Sequence, residues 1–242
     1  MQLLIELQKI DQFSLPISYN YLLQSMIYDL LKNKENLSSQ LHERGYQIED
    51  KHFKLFTFSL LRGQYKIHGK RIEFLDKVLF EIRTVDKTIL LSIVESLLNL
   101  DTLRIGQNLV KILNVKIGHK KLTENSYKIR MISPLVVRST DAETKKTLYY
   151  YPFDTEFKSR IMENFERKYQ AYYHKVPTGR FDIEPINFSL KNKFVTKYKD
   201  YLITGWKGEF EIRGDAEVLD FLYQVGLGEK NSMGFGMFVI EE

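Results

Sequence analysis

The constraint that narrows the fold most is the order in which the hydrophobic period changes along the chain. Leu3 to Lys9 alternates with a period of two, as a half-buried strand does, and Tyr21 to Leu31 then switches to a helical period. On that helix Leu23, Ile27 and Leu30 or Leu31 share one face, with Leu22 and Met26 beside them. A polar break follows at Asn33 to Ser39. Phe53 to Leu61 and Arg71 to Arg83 read as strands joined through Arg62-Gly63 and His68-Gly69-Lys70, Thr88 to Leu98 as a second helix, and Thr102 to Ile117 as extended chain. The order β-α-β-β-α-β is that of the ferredoxin-like unit.

The second half repeats the order less neatly. Tyr127 to Val137 is extended, Phe157 to Tyr172 helical, Asp182 to Lys193 and Lys199 to Ile212 extended, Ala216 to Gln224 helical and Phe235 to Ile240 extended. An extra strand at Thr147 to Tyr151 is expected to form a hairpin with the Ile129 to Val137 region. The expected fold is therefore α+β, with tandem ferredoxin-like domains over 1–120 and 121–242 and a cleft between two sheets lying side by side.

The last helix and the last strand are separated by Gly226-Leu-Gly-Glu-Lys-Asn-Ser-Met-Gly-Phe-Gly236. Gly226, Gly228, Gly234 and Gly236 lack a Cβ, so the chain there can adopt left-handed dihedrals or approach a ligand closely. Outward-facing N–H groups would make an anion nest, with Lys230 as a point charge and Asn231 and Ser232 as hydrogen-bonding groups. A Gly-rich turn without a ligand satisfies the same pattern. No G-x-x-x-x-G-K-[S/T] is present, and the run follows a helix instead of joining a strand to one, which argues against a nucleotide cofactor.

Basic residues are clustered. Arg104, Lys111, Lys116, Lys120, Lys121, Lys128, Arg130, Arg138, Lys145 and Lys146 are opposed over the same stretch only by Glu124, Asp141 and Glu143. On strands and hairpin tips, such a stripe points to nucleic acid as partner, with a solvated basic rim as the alternative. The absence of cysteine from all 242 residues excludes disulfides, a thiol nucleophile and thiolate metal sites. Neither a signal peptide nor a membrane span is legible, so a cytoplasmic protein with no membrane partner is expected.

Of the five histidines, His68, His119 and His174 sit where surface or capping roles suffice, and none belongs to a metal-binding motif. His42 differs, because it lies in LHERG, a polar segment after the first helix, where an imidazole titrating near neutrality can exchange a proton with substrate. Tyr28 stands off the most apolar line of that helix. Lys54 opens a strand whose alternation would place Lys54, Phe56 and Phe58 on one face. Tyrosine, histidine and lysine without a carboxylate cluster suit cleavage of RNA, which carries its own nucleophile in the 2′-hydroxyl. DNA lacks that group.

The segments VGLGEKNSMGFG, YNYLLQSMIYDLL, LHERG and KLFTFSLL resemble those of the CRISPR repeat-processing endoribonucleases of the repeat-associated mysterious protein superfamily, over essentially the whole chain. The resemblance implies metal-independent, cofactor-free cleavage of CRISPR precursor RNA within its repeats, leaving 2′,3′-cyclic phosphate and 5′-hydroxyl ends. It places the family's catalytic tyrosine, histidine and lysine on Tyr28, His42 and Lys54, with Lys51 or His52 as substitutes for Lys54 because Tyr46 to Phe53 lengthens the segment. RNA contacts are then expected from the glycine-rich run and from Lys111, Lys116, Lys120, Lys121, Lys128, Arg130 and Arg138. Which of Tyr28 and His42 is base and which is acid stays open. The alternative is a non-cleaving RNA-binding subunit of an interference complex; association with such a complex, or a homodimer, fits the same pattern.

Overall fold

Alternation in the first strand seals one of its faces: Leu3, Ile5 and Leu7 are fully buried while their neighbours are half-exposed. The computed structural model describes residues 1–32, 45–49 and 51–241. In chain order its first half comprises β1 (Gln2–Lys9), β2 (Phe13–Pro16), α1 (Asn20–Leu31), the hairpin β3 (Tyr46–Ile48) and β4 (Lys51–Phe53), β5 (Phe56–Phe58), β6 (Arg62–His68), β7 (Arg71–Thr84), α2 (Lys87–Leu98), β8 (Thr102–Ile105) and β9 (Asn108–Gly118). The sheet is antiparallel with order β2-β7-β1-β9-β8, and β5 and β6 also pair with β7. Taken as β9-β1-β7-β5, this is the fourth, first, third and second strand of a ferredoxin-like unit.

The second half contains β10 (Ser126–Met131), β11 (Arg138–Thr140), β12 (Thr147–Tyr149), α3 (Thr155–Tyr173), β13 (Phe181–Ile186), β14 (Lys193–Tyr198), β15 (Tyr201–Trp206), β16 (Glu209–Gly214), α4 (Ala216–Val225) and β17 (Phe238–Ile240). Its main sheet runs β13-β16-β10-β17, the same order read from the other edge. The fold is tandem ferredoxin-like, and each sheet is covered on one face by its two helices. The helices bury stripes set by their own sequences: Leu23, Met26, Ile27 and Leu30 on α1, Ile89, Ile93 and Leu97 on α2, and Phe157, Ile161 and Phe165 on α3. Asp86 caps α2 by accepting from the Thr88 N–H at 2.7 Å.

Three expectations from the period are corrected. The 147–149 strand pairs with 138–140, because the chain bends at Ile132-Ser133 and leaves the main sheet before the hairpin forms. The strand expected from Phe53 to Leu61 breaks at Leu55, whose φ of 51° is left-handed. Lys54 consequently does not continue the Phe56 and Phe58 face; Leu55 belongs to the second core, and its carbonyl accepts from Thr84 Oγ1 at 2.8 Å. Finally, Lys199 to Ile212 divides at Lys207-Gly208, so that β15 pairs with β14 and β16 enters the main sheet.

A buried cation ties the two sheets together. Arg83 on β7 is 1% exposed; its Nε donates to Glu81 at 2.6 Å and its Nη1 to the Phe238 carbonyl of β17 at 2.7 Å. Its guanidinium lies 3.8 Å over the ring of Tyr223 on α4. Removing one member of such a buried set strands the others in a poor solvent. Arg83→Met is expected to lower stability to urea by about 3–5 kcal/mol; a loss below about 1 kcal/mol would show that this contact does not hold the halves together.

Candidate functional site

Four left-handed glycines let α4 end in a loop that folds back on itself. Gly226, Gly228, Gly234 and Gly236 have φ of 85°, 62°, 84° and 76°. All four are buried, in contrast to the backbone-exposing nest expected from the sequence. Many of the loop's N–H groups are used internally: Leu227 donates to the Gly236 carbonyl, Glu229 to Val136 and Gly236 to Pro134, each at 2.8–2.9 Å. Asn231 is the centre of the knot, its Nδ2 donating to the carbonyls of Leu227 at 2.9 Å and Phe235 at 3.1 Å. Its Oδ1 accepts from Lys168 Nζ at 2.5 Å.

The first half clasps this loop. Asn20, Gln24 and Tyr28 follow at intervals of four on α1 and so share a face. Asn20 Nδ2 donates to the carbonyls of Met233 and Gly234, both at 3.2 Å, and Gln24 Nε2 to that of Ser232 at 2.6 Å. Thr57 Oγ1 on β5 donates to the Phe235 carbonyl at 3.2 Å. Tyr198 OH bonds Gln24 Oε1, bringing the β14–β15 hairpin to the same junction.

Between the clasped loop and the β3–β4 hairpin lies a cleft of about 530 Å³. Lys51, His52 and Lys54 line it from the first half, and Lys230, Asn231 and Ser232 from the loop. Arg138 on β11 and Arg160, Arg167 and Lys168 on α3 complete a strongly cationic wall in which Glu163 and Glu229 are the acidic groups. Those carboxylates are engaged: Arg138 lies 2.9 Å from Glu229, and Arg160 and Arg167 lie 3.3 and 3.6 Å from Glu163. Burial lowers the Lys54 pKa below the ordinary lysine value, and burial assisted by Arg138 brings Lys230 to about 8. The arrangement suits an anion that replaces lost hydration.

Tyr28 borders the cleft through Phe56, against which its ring packs edge-on with centroids 6.2 Å apart. Burial pushes its phenol up to about 12, so it stays protonated at neutral pH. His42 lies outside the described residues. Of the basic series expected to bind RNA, only Arg138 lines the cleft; Lys111, Lys116, Lys120, Lys121, Lys128 and Arg130 are exposed elsewhere, with Lys128 and Arg130 paired to Glu209 and Glu241. The sequence reading missed Arg160, Arg167 and Lys168. A signal for the last was present: Lys168 is in phase with Phe157, Ile161 and Phe165 on the apolar stripe of α3. Among the described residues, no group of three or more His, Asp or Glu side chains is placed to hold a metal, and no helix is long and apolar enough to cross a membrane.

Two family profiles match almost the entire chain: "CRISPR-associated protein Cas6, N-terminal" over residues 14–116 and "CRISPR associated protein Cas6, C-terminal" over 117–240. The sequence is 29% identical to the CRISPR-associated endoribonuclease Cas6 of Pyrococcus furiosus, covering 100% of this chain and 90% of that one. It is 30% identical to CRISPR-associated endoribonuclease Cas6 1 of Methanocaldococcus jannaschii, covering 99% and 92%. Among solved structures, it is similar to the product of a Cas6-related gene from Pyrococcus furiosus, with a TM-score of 0.85, 27% identity and 100% and 98% coverage. It is also similar to a RAMP protein binding different RNA substrates, with a TM-score of 0.83, 26% identity and full coverage of both chains.

The glycine positions yield a direct check on the loop. A Cβ on Gly234 would stand 2.6 Å from the Phe58 ring and 2.8 Å from Asn20 Nδ2, at a φ that L side chains rarely adopt. Gly234→Ala is expected to destabilise the protein by roughly 1–3 kcal/mol in chemical denaturation. Unchanged stability would contradict the close packing of loop on helix.

Proposed function

The chain belongs to the Cas6 family of CRISPR-associated proteins, and from that membership we propose that it is an endoribonuclease that cuts CRISPR repeat RNA by attack of a 2′-hydroxyl on the adjacent phosphate. The observation that carries the reading is the cleft, where Lys54 of the first half faces Lys230, Asn231 and Ser232 of the second across a space with a surplus of cations. The division of labour follows: residues 1–120 supply the chemistry, and 121–242 supply the glycine-rich grip.

The reaction needs a base for the 2′-oxygen, a donor for the departing 5′-oxygen and a cation for the charge that develops on the phosphoryl oxygens. Atoms balance without an added water: the 2′-O–P bond forms, the P–O5′ bond breaks, and the products carry a 2′,3′-cyclic phosphate and a 5′-hydroxyl. Lys54, partly desolvated, serves as the cation. Burial keeps the Tyr28 phenol protonated at neutral pH, so in this reading it is the group with a proton to give to the departing 5′-oxygen. His42 takes the base role on the strength of its sequence position and the family likeness. No step calls for a metal ion.

Single-turnover cleavage of the source organism's repeat RNA in EDTA tests this reading. The expected products are the cyclic phosphate and the 5′-hydroxyl, with a substrate carrying 2′-deoxyribose at the scissile nucleotide left uncut. Folded His42→Ala and Lys54→Ala are each expected to be slower by roughly 10²–10⁴-fold. Cleavage of the deoxy substrate, or a wild-type rate in His42→Ala, would overturn the scheme, and tight binding without any cleavage would identify a non-cleaving subunit.

The protonation states give a separate check. With a histidine base the rate should rise through a pKa near 6.5 as pH increases. The rate should then show no further rise between pH 8 and 10 from Tyr28, whose ionisation lies near 12. Activation with an apparent pKa of about 9 that disappears in Tyr28→Phe would instead make the tyrosine the base.

A further inference from the structure

A lysine withdrawn from water ordinarily has a carboxylate beside it, because the ammonium loses its hydration on burial. Lys168 breaks that pattern. It is 3% exposed, and its Nζ donates to Gly226 O at 3.1 Å, Gly228 O at 2.6 Å and Asn231 Oδ1 at 2.5 Å. Those acceptors are all uncharged, and together they use the three N–H bonds that only the ammonium form possesses. Among the described residues no carboxylate forms an ion pair with it; Glu229, which favours its charge from a distance, is engaged by Arg138.

The same side chain forms part of the cleft wall, directly under the loop residues that line it. The position therefore combines a buried lysine, a fixed set of neutral dipoles and a cleft lined by further cations. We propose that Lys168 is the floor of a phosphate subsite for RNA above Asn231 and Ser232, and that RNA binds there together with a proton on this lysine. The inference rests on the RNA reading above and adds to it a residue and a proton.

Burial brings Lys168 to about 7 in the free protein, so near neutrality many molecules hold it as the neutral amine. A phosphate placed above favours the ammonium. The complex thus binds the proton more tightly than the free protein does, and affinity is highest below pH 7 and falls as pH rises through and beyond that value. The other titratable groups lining the same cleft are Glu229 and Lys230 of the loop, Arg138 of β11, Arg160, Glu163 and Arg167 of α3, Lys51 and His52 of β4, and Lys54 just after it. Lys230, at about 8, acts in the same direction at higher pH, so the contribution of Lys168 is read as a difference between variants.

The probe is the repeat RNA with 2′-deoxyribose at the scissile nucleotide, bound by the full chain between pH 6 and 8. Calorimetry at pH 7.5 in two buffers of different ionisation enthalpy counts the protons taken up. For the wild type the affinity should fall about fivefold between pH 7 and 8, with uptake of roughly 0.8 proton at pH 7.5 from Lys168. Lys168→Met has no proton to gain and Lys168→Arg never loses its own, so both should lack this slope and this uptake. Equal slopes and equal uptake in all three proteins would overturn the subsite. Should neither variant fold, negligible uptake by the wild type alone would overturn it. A wild type that cuts the repeat without proton uptake defeats the subsite and leaves the nuclease reading intact; one that neither binds nor cuts the repeat defeats both.

Discussion

Four successive carbonyls of the terminal loop are bonded by side chains from the other half of the chain, and the geometry of the cleft depends on that clasp. Gln24 takes Ser232, Asn20 takes Met233 and Gly234, and Thr57 takes Phe235. Buried carbonyls left unpaired would cost more than the bonds themselves contribute, so the loop and α1 are held in one relation. Tyr28 lies one turn beyond Gln24 on the same helix, and Lys54 lies just before the strand that carries Thr57. The groups proposed for chemistry are therefore fixed to the loop proposed for grip through a few hydrogen bonds, although they are about 200 residues apart in sequence.

That arrangement alters what the glycines are for. The sequence suggests a nest whose N–H groups face a ligand, whereas several of those groups bond to Val136, Pro134 and the loop's own carbonyls. Left-handed dihedrals and missing Cβ atoms allow the loop to be packed from both sides, by Phe58 and Asn20 on one and by Val136 on the other. What faces the cleft is the charged and polar tip from Lys230 to Ser232, held by the bond from Lys168 to Asn231.

Much of the fold was legible because burial on one face imposes a period, and the strand order follows from β-α-β-β-α-β twice over. The period carries less information where tertiary contacts take over. Leu55 turns left-handed to enter the second core, and this break, invisible to alternation, reorients Lys54. The clustering of Lys111 to Arg138 suggests a binding stripe, and of that series Arg138 lines the cleft while the others are exposed at positions that do not line it. Lys168 was overlooked because lysines in helices are usually solvated; its place on the apolar stripe marked it as an exception. The assignment of His42 rests on sequence, since it lies outside the described residues.

The central claim is that both halves of the chain grip one RNA across this cleft. Photo-crosslinking tests it most directly: a photoreactive amino acid is placed singly at His52, at Ser232 and, as a control face, at Lys116, and each protein is irradiated with the same repeat RNA. The account predicts that positions 52 and 232 crosslink to nucleotides adjacent to the scissile phosphate. Crosslinks to those nucleotides from position 116 alone, with 52 and 232 silent, would contradict it.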